Sequence, residues 1–275
     1  VVLPGTHYIS NNITVPSGVT LQINPGVVLV FTGNYSLNVY GTLKSNGATF
    51  TGSGYWSGIK LIGSQNSEII NCRIEKFSSN GIYIESCNPL IDGNDLGFDI
   101  FSVGIKVYNS GPVIRNNYIH NCGVGIGIEG YSNPDVYGNN IANNSFYGIG
   151  IWYCNGFPSI HDNIIENNGG LFSGSDGTYV YPLGWGIYLY RSNANIYRNR
   201  IKNSGFGISC ESYSYANFGN YGEIFYANNL ISDCYFGLSS HNNSIIYAGE
   251  EYWEYICEET WDGFDCWETF SGYTQ

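Results

Sequence analysis

Two short signals repeat through most of the chain, and this repeat constrains the fold more than any other feature of the sequence. Both are visible between Gly81 and Ile128. One signal is Gly-Ile-x-Ile. In the other, a branched residue is followed by two positions, Asn, one further position, and Ile or Leu. Both recur with a period of a little over twenty residues. A fixed period of this size is typical of solenoids, in which each repeat forms one coil.

The register of the repeat is clear from Ile69 onward. The Asn position is occupied by Cys72, Asn94, Asn117, Asn139, Asn163, Asn199 and Asn228. The apolar residue two positions later is Ile74, Leu96, Ile119, Ile141, Ile165, Ile201 and Leu230. The Gly-Ile signal begins at Gly81, Gly104, Gly125, Gly148, Gly186, Gly207 and Gly237. Each repeat therefore predicts three short strands separated by turns, and stacked repeats bury one continuous apolar core.

An Asn at a fixed turn position can adopt the left-handed conformation and hydrogen-bond to its equivalents in the coils above and below. This Asn ladder and the Gly-Ile-x-Ile strands resemble the right-handed parallel β-helix superfamily, the pectin-lyase-like fold, over nearly the whole chain. We therefore predict an all-β fold, a single right-handed parallel β-helix with three short strands per coil. The resemblance implies the fold and says almost nothing about activity, because one fold hosts many functions.

The repeat also divides the chain into parts. Residues 1–65 carry strand patterns without the strict repeat and are predicted to form irregular N-terminal coils, whereas residues 66–247 form the regular ones. Two insertions, at 169–183 and 212–222, break the period on the same face of adjacent coils. Insertions on one face of a solenoid usually mark its binding face.

Residues 248–275 form an acidic, aromatic tail that is predicted to cap the solenoid or to dock onto a partner, since the end of a solenoid is an exposed sheet edge. Trp253, Ile256, Cys257 and Trp261 have helical spacing, so a short capping helix is one interpretation. A strand-like or irregular cap fits the tail equally well.

The cysteines and histidines show no metal-binding pattern. Eight cysteines occur without any Cys-x-x-Cys pair. Cys210 occupies an apolar strand position and is predicted to be a buried free thiol, while Cys257 and Cys266 are a possible disulfide. The four histidines are scattered, and His161-Asp162 is interpreted as a turn. We therefore predict no metal site and no cofactor.

Composition excludes two classes of partner. The net charge of −12 argues against nucleic acid, because phosphate binding needs clustered Lys and Arg. The longest apolar run, from Val27 to Phe31, is far shorter than the roughly 20 residues of a membrane span. The start of the chain has no signal-peptide pattern, which is expected of a mature or a cytosolic chain.

Strand alternation predicts which side chains face outward from the Gly-Ile signals. Both Ile positions point inward, and the two other positions form columns along the stack. Column one is predicted to be Lys60, Tyr83, Lys106, Gly127, Gly150, Tyr188, Ser209 and Ser239. Column two is predicted to be Ile62, Glu85, Tyr108, Glu129, Trp152, Tyr190, Glu211 and His241. Gly127 and Gly150 should leave a dent walled by Lys106 and Tyr188.

A shallow groove with aromatic rings and a few polar groups suits a sugar chain, because pyranose faces stack on aromatic rings and hydroxyls need partners. The residues expected to contact sugar rings are Trp152, Tyr190, Tyr188, Tyr108 and Tyr83. The alternative is an ordinary solvated sheet face, whose tyrosines reflect β-propensity alone.

If the chain is an enzyme, Glu129 is the first candidate acid or base, with Glu85 or Asp176 as its partner. Glu85 and Glu129 should lie two rungs apart, or about 9–10 Å, near the upper end of the separation in inverting glycosidases. Lys106 could tune a neighbouring carboxylate or act as the base of a uronide β-elimination. The alternative for these residues is a solvated charge ladder, which stabilises little.

The motifs of known enzymes with this fold are nearly all missing. Polygalacturonases carry Asn-Thr-Asp, Asp-Asp, Gly-His-Gly and Arg-Ile-Lys, and only the last occurs here, as Arg200-Ile201-Lys202. No Asp pair precedes it, so we interpret the match as coincidence. The arginine-centred and calcium-binding aspartate signatures of pectate lyases are also missing, and no catalytic residue carries over from either family.

The sequence thus supports two hypotheses of different classes. The first is an extracellular or cell-surface β-helix that binds, and in one version cleaves, a polysaccharide along the Gly-Ile face. The second is a structural or adhesive protein that assembles head-to-tail into filaments, because an uncovered solenoid end invites pairing with a second copy.

Overall fold

The structure is a computed structural model that describes residues 1–173, 180–218, 229–232, 234, 236–247, 256–260 and 263–267. Regular structure within these ranges is entirely β. In chain order the strands are β1 (Gly5–Ile9), β2 (Ile13–Val15), β3 (Thr20–Ile23), β4 (Val27–Phe31), β5 (Leu37–Val39), β6 (Thr42–Asn46), β7 (Thr49–Gly52), β8 (Ile59–Ile62), β9 (Glu68–Ile70), β10 (Arg73–Glu75), β11 (Asn80–Glu85), β12 (Leu90–Asp92), β13 (Asp95–Tyr108), β14 (Val113–Arg115), β15 (Tyr118–Gly130), β16 (Asp135–Tyr137), β17 (Asn140–Ala142), β18 (Tyr147–Cys154), β19 (Ser159–His161), β20 (Ile164–Glu166), β21 (Gly170–Ser173), β22 (Val180–Leu183), β23 (Trp185–Tyr190), β24 (Asn193–Tyr197), β25 (Arg200–Lys202), β26 (Phe206–Glu211), β27 (Tyr215–Asn217), β28 (Leu230–Ser232), β29 (Phe236–His241), β30 (Ile245–Tyr247), β31 (Ile256–Thr260) and β32 (Gly263–Trp267).

The coils stack their strands into three parallel sheets. The first sheet contains β1, β4, β7, β10, β13, β15, β17, β20, β25 and β28. The second, here called the Gly-Ile sheet, contains β2, β5, β8, β11, β13, β15, β18, β23, β26 and β29. The third contains β3, β6, β9, β12, β14, β16, β19, β24, β27 and β30. Strands β13 and β15 run around a corner and belong to both of the first two sheets. The predicted parallel β-helix is confirmed.

The core is a stack of isoleucines in register. Ile82 pairs with Ile105, and Ile105 pairs with Ile126, each wholly buried. Burial of such a side chain stabilises the fold by about 1.5–3 kcal/mol, although no coil can bury its own face without a neighbour. At the N-terminal end the rings of Phe31 and Trp56 stack with their centroids 4.3 Å apart.

Strands within residues 1–65 stack in parallel register with the coils that follow, although this part of the sequence lacks the strict repeat. Strands β2, β5 and β8 stack in parallel register, and Leu37 and Val39 pair with Ile59 and Leu61. Stacking requires only that an apolar residue face inward at the same place in each coil. Several residue types meet that condition without reproducing the Gly-Ile signal.

The Asn ladder is present and fully hydrogen-bonded. In Asn94 both the backbone N–H and the side-chain amide donate to Oδ1 of Asn117, at 2.9 Å each. The same pair of bonds continues from coil to coil through Asn117, Asn139, Asn163, Asn199 and Asn229. Because the ladder is buried, each amide satisfies backbone groups that water cannot reach.

The last ladder position corrects the sequence register by one residue. Asn229, not Asn228, accepts from Asn199, and Ile231, not Leu230, pairs with Ile201. Two successive asparagines followed by Leu-Ile fit the repeat in either register, so the pattern could not separate them. Leu230 is correspondingly 58% exposed.

Two further ladders line the other corners. At one corner Asn144 donates from its backbone N–H and its side-chain amide to Oδ1 of Asn168, at 3.1 and 2.9 Å. At the corner that follows the Gly-Ile sheet, backbone N–H groups donate to serine hydroxyls of the next coil, from Cys87 to Ser110, Ser110 to Ser132, Cys154 to Ser192, Ser192 to Ser214 and Ser214 to Ser244. These corners are therefore as tightly specified as the Asn ladder.

The segment at 169–183 leaves the coil as an antiparallel hairpin, β21–β22, in which Gly170 pairs with Leu183. Its two ends nearly touch, since a Cβ on Gly184 would lie 1.9 Å from Cα of Gly169. The second predicted insertion, at 212–222, begins too early. Tyr215–Asn217 is the ordinary strand β27 of the third sheet, and residues from 219 to 222 lie outside the described residues.

The described part of the tail is a second antiparallel hairpin, β31–β32, in which Cys257 stands opposite Cys266. The capping helix is therefore wrong for Ile256 and Cys257, which belong to β31. Trp253 and Trp261 lie outside the described residues. Cys210 is a buried free thiol, as predicted, and burial raises its pKa to about 12.

Candidate functional site

The register of the Gly-Ile sheet produces both outward columns that the sequence predicts. In column one Tyr83 pairs with Lys106, and Gly127, Gly150, Tyr188 and Ser209 follow in successive coils. In column two the order is Glu85, Tyr108, Glu129, Trp152, Tyr190 and Glu211. The described candidates therefore lie on one face, on rungs about 4.8 Å apart.

The dent predicted at Gly127 and Gly150 is not open, because the indole of Trp152 occupies it. A Cβ on Gly150 would lie 1.9 Å from the Trp152 ring, and one on Gly127 would lie 3.4 Å from it. Two glycines in a row allow the ring to lean across column one against the backbone. The dent is thus a seat for Trp152, which remains partly exposed as a platform on the face.

A third outward column, which the sequence reasoning missed, lies beside column one. It is the residue before each Gly-Ile signal, and in four successive coils that residue is aromatic. The rings of Tyr147, Trp185, Phe206 and Phe236 stack in order, with centroids 4.9, 5.4 and 4.8 Å apart. The aromatic residue before the Gly in each of these repeats was the available signal.

The platform is joined to this aromatic column through Tyr147. The Tyr147 ring meets Trp152 edge-on at 5.3 Å and lies 5.2 Å from Tyr188. Aromatic pairs in such geometries contribute about 0.5–1.5 kcal/mol beyond the burial of their area. Trp152 is therefore held by ring contacts on one side and by the glycine seat below.

Each carboxylate of column two has a donor in column one. Tyr83 donates its hydroxyl to Glu85 at 3.1 Å, and Tyr188 donates to Glu211 at 2.9 Å. Lys106 forms an ion pair with Glu129. The negative charges of this face are consequently fixed in position, with the Lys106 ammonium also 5.4 Å from the centre of the Trp152 ring.

The two tyrosines are held in the neutral form that donates these bonds. Desolvation, reinforced by the bond to Glu85, raises the pKa of Tyr83 to about 12. Desolvation and the bond to Glu211 raise the pKa of Tyr188 still further. Burial also raises the pKa of Tyr147. All three phenols therefore keep their protons well above neutral pH.

The candidate catalytic residues are only partly brought together. Glu85 and Glu129 stand two rungs apart with Tyr108 between them. Lys106 donates to Glu129, whereas the base of a β-elimination must be free to accept a proton. Asp176 lies outside the described residues. Acid–base roles for Glu129 and Glu85 stay predictions.

The turn interpretation of His161-Asp162 holds for Asp162, which lies at the corner with a φ of 54°, but not for His161. His161 ends strand β19 on the third sheet, and its ring is stacked between Tyr137 at 5.1 Å and Tyr197 at 4.7 Å. Its nitrogens contact Asp135 and Asp162. Within the described residues no three His, Cys, Asp or Glu side chains are grouped so that they could hold a metal ion.

The fold and this face define a parallel β-solenoid with one aromatic outer surface. The family model described as "Right handed beta helix region" matches residues 57–221, more than half of the sequence. The chain belongs to this family. No curated protein matches the chain by sequence.

Several solved structures share the fold at low identity. The A-module of a mannuronan C-5 epimerase from Azotobacter vinelandii is 13% identical with a TM-score of 0.43, over 89% of this chain and 91% of that one. The Dettilon tailspike protein is 16% identical with a TM-score of 0.49, over 88% of this chain and 54% of that one. A pectate lyase is 15% identical with a TM-score of 0.37, over 90% and 69%. At these identities the likeness is one of fold alone.

The chain spans about half of the tailspike protein that it resembles. Among the residues that the structure describes, no helix has the length and apolar character that a membrane span requires.

Proposed function

We propose that the chain binds a polysaccharide on the outer face of the Gly-Ile sheet, at the cell surface or outside the cell, with Trp152 as the central contact. The observation that carries this proposal is the seating of Trp152 over Gly150, which places an indole on the outer face of the Gly-Ile sheet. Pyranose rings bind such platforms through their C–H faces, while hydroxyls need hydrogen-bonding partners nearby.

Those partners surround the platform. Glu129 lies on the preceding rung of column two and Tyr190 on the following one. Glu85 and Tyr108 continue the column, and Tyr83 and Tyr188 line it from column one. Fixed carboxylates and neutral phenols accept and donate hydrogen bonds to sugar hydroxyls with little loss of side-chain freedom, because their own contacts already order them.

Affinity electrophoresis tests the proposal, with gels that contain a soluble β-glucan, a xylan, a galactomannan, alginate or polygalacturonate. We expect at least one polymer to retard the wild-type chain and Trp152→Ala to lose most of that retardation. Tyr55→Ala, which removes a tyrosine that is 58% exposed outside the Gly-Ile sheet, is the control and should migrate as wild type. Equal retardation of wild type and Trp152→Ala would contradict the proposal.

Cleavage is a finer proposal for the same face. If the chain cleaves the retained polymer, new reducing ends or unsaturated uronides will accumulate, and Glu129→Gln will abolish them while retardation persists. Persistence of turnover in both Glu129→Gln and Glu85→Gln would exclude these carboxylates. Absence of retardation with every polymer would favour the structural or adhesive hypothesis, in which copies of the chain assemble end to end.

A further inference from the structure

The corner immediately after column two carries large exposed side chains in four consecutive coils. Tyr153 and Arg191 come directly after Trp152 and Tyr190, and Tyr131 and Tyr213 come two residues after Glu129 and Glu211. These four residues are here called the edge row. The three tyrosines are 75%, 56% and 71% exposed. The row runs beside the platform over three rung intervals, or about 14 Å.

Three members of the edge row are held in the left-handed backbone conformation. The φ angles are 50° for Tyr153, 49° for Arg191 and 67° for Tyr213. This region is unfavourable for residues with bulky side chains and is usually occupied by Gly, Asn or Asp. Strain that persists in a folded chain tends to mark functional sites.

Other coils of the same chain show what this corner ordinarily contains. The left-handed residues directly after column two in the other coils are Gly63, Ser86, Asn109, Gly130, Ser212 and Asn242, and Asn243 occupies the position equivalent to Tyr213. Small or amide residues thus occupy the position directly after column two except in the coils of Trp152 and Tyr190, where it is Tyr153 and Arg191. The fold itself does not require Tyr or Arg at this position.

The edge row is joined to column two by ring contacts. Tyr153 meets Tyr190 edge-on at 5.3 Å. The Arg191 guanidinium lies 5.8 Å from the Tyr153 ring centre and 5.6 Å from that of Tyr190. Tyr190 is therefore shared between the platform face and the edge row, so one ligand can contact both.

We propose that the edge row is a second line of saccharide contact, in which Tyr131, Tyr153 and Tyr213 stack against sugar rings and Arg191 donates to their hydroxyls. This inference rests on the proposed function. It extends the binding surface around the corner of the solenoid and adds residues that the Gly-Ile signal does not contain. A polymer on Trp152 and Tyr190 meets the edge row without crossing the sheet.

The test replaces Tyr153 or Arg191 with asparagine, a residue that occupies this corner in other coils. In Tyr153→Asn and Arg191→Asn, affinity for the polymer that retards the wild-type chain should fall about five- to tenfold in the same gels. Relief of the backbone strain should leave Tm unchanged or raise it by about 2–4 °C. Tyr153→Phe keeps the ring and should bind within about twofold of wild type. Tyr8→Asn, which alters an exposed tyrosine of β1, is the matched control.

The outcomes separate the two proposals. Loss of retardation in Trp152→Ala, with Tyr153→Asn and Arg191→Asn both binding as wild type, overturns the edge row and leaves the proposed function standing. A fall in Tm that accompanies the loss of affinity in both Asn variants assigns these residues to folding and also overturns the inference. If none of the five polymers retards wild type, the proposed function fails and the inference fails with it.

Discussion

The Trp152 indole lies over Gly150 so closely that a single added methyl group would stand 1.9 Å from its ring. The position of the platform is therefore set by the absence of a side chain in the neighbouring column. Gly150 makes no side-chain contact itself. It matters because the absence of a side chain leaves room for the Trp152 ring.

Gly150→Ala should displace Trp152 and weaken polysaccharide retardation about tenfold or more, because the ring cannot remain in its seat. Gly127→Ala is the matched control, since its Cβ would meet Lys106 Cδ at 3.2 Å, the Trp152 ring at 3.4 Å and Val103 Cγ1 at 3.5 Å, which are contacts that side chains can relieve. Affinity electrophoresis measures both variants. Equal retardation of the two would show that the glycine seat does not position the platform.

Asn139→Ala should lower the free energy of unfolding by about 2–4 kcal/mol. Its amide donates to the carbonyls of Ile114 and Tyr137 and to Asn163, so its loss leaves buried groups without partners. Asn155→Ala, at an exposed position, should change stability by less than about 0.5 kcal/mol. Urea unfolding monitored by circular dichroism gives the free energy of unfolding of both variants. Similar losses in the two would show that the Asn ladder does not stabilise the fold.

Stability should decline in alkali through the tyrosines of the Gly-Ile sheet. The folded chain holds the proton of Tyr83 up to about pH 12, whereas the unfolded chain releases it near the ordinary tyrosine pKa of about 10. This contribution is full below about pH 10 and is lost as the pH rises through about 12. In Tyr83→Phe the fall of Tm across this window should be shallower than in wild type. Tyr8→Phe, at an exposed tyrosine, should reproduce the wild-type curve.

The tail hairpin predicts a disulfide. Its register places Cys257 directly opposite Cys266, and a bond between them would leave six of the eight cysteines outside it. Thiol titration of the unfolded chain, purified without reductant, should therefore find six reactive groups. Cys257→Ser removes one partner and frees Cys266, so the count should rise to seven. Eight reactive thiols in wild type would contradict the disulfide.

The polymer that binds should be uncharged. Column two presents the carboxylates of Glu85, Glu129 and Glu211, and the whole chain has a net charge of −12. An anionic chain such as alginate would be repelled, and stacking on Trp152 gains nothing from charge. Retardation by a neutral polymer should stay constant as salt is raised, since screening leaves stacking unaltered. Tighter retardation by alginate than by the neutral polymers would contradict this.

The register of the Gly-Ile sheet could be predicted from the sequence because two constraints agree. The repeat fixes which residues stack, and the period-2 alternation fixes which side faces outward. From these alone, Glu129, Trp152 and Tyr190 follow one another in column two, as the structure has them. The constraint weakens where two neighbouring residues satisfy it equally, as at Asn228 and Asn229.

Side-chain conformations and backbone torsion angles cannot be predicted from the repeat and the strand alternation. The sequence shows that Gly127 and Gly150 lack side chains, but it does not show that Trp152 leans into the space. Nor does it show that Tyr153 and Arg191 adopt left-handed backbone angles, because bulky residues ordinarily avoid them. The stacked aromatic column was readable in the sequence, since Tyr147 and its equivalents occupy one position of the repeat.

The separation of inward and outward positions in the Gly-Ile sheet has an evolutionary consequence. Ile149 and Ile151 are wholly buried and pair with Ile126 and Ile128, whereas the outward Trp152 beside them pairs with Glu129. A substitution at an outward position changes one row of the surface and leaves the stacking of the coils intact. Duplication of one coil would lengthen the surface by about 4.8 Å. Ligand preference in such a chain can therefore diverge by single mutations while its architecture is inherited unchanged.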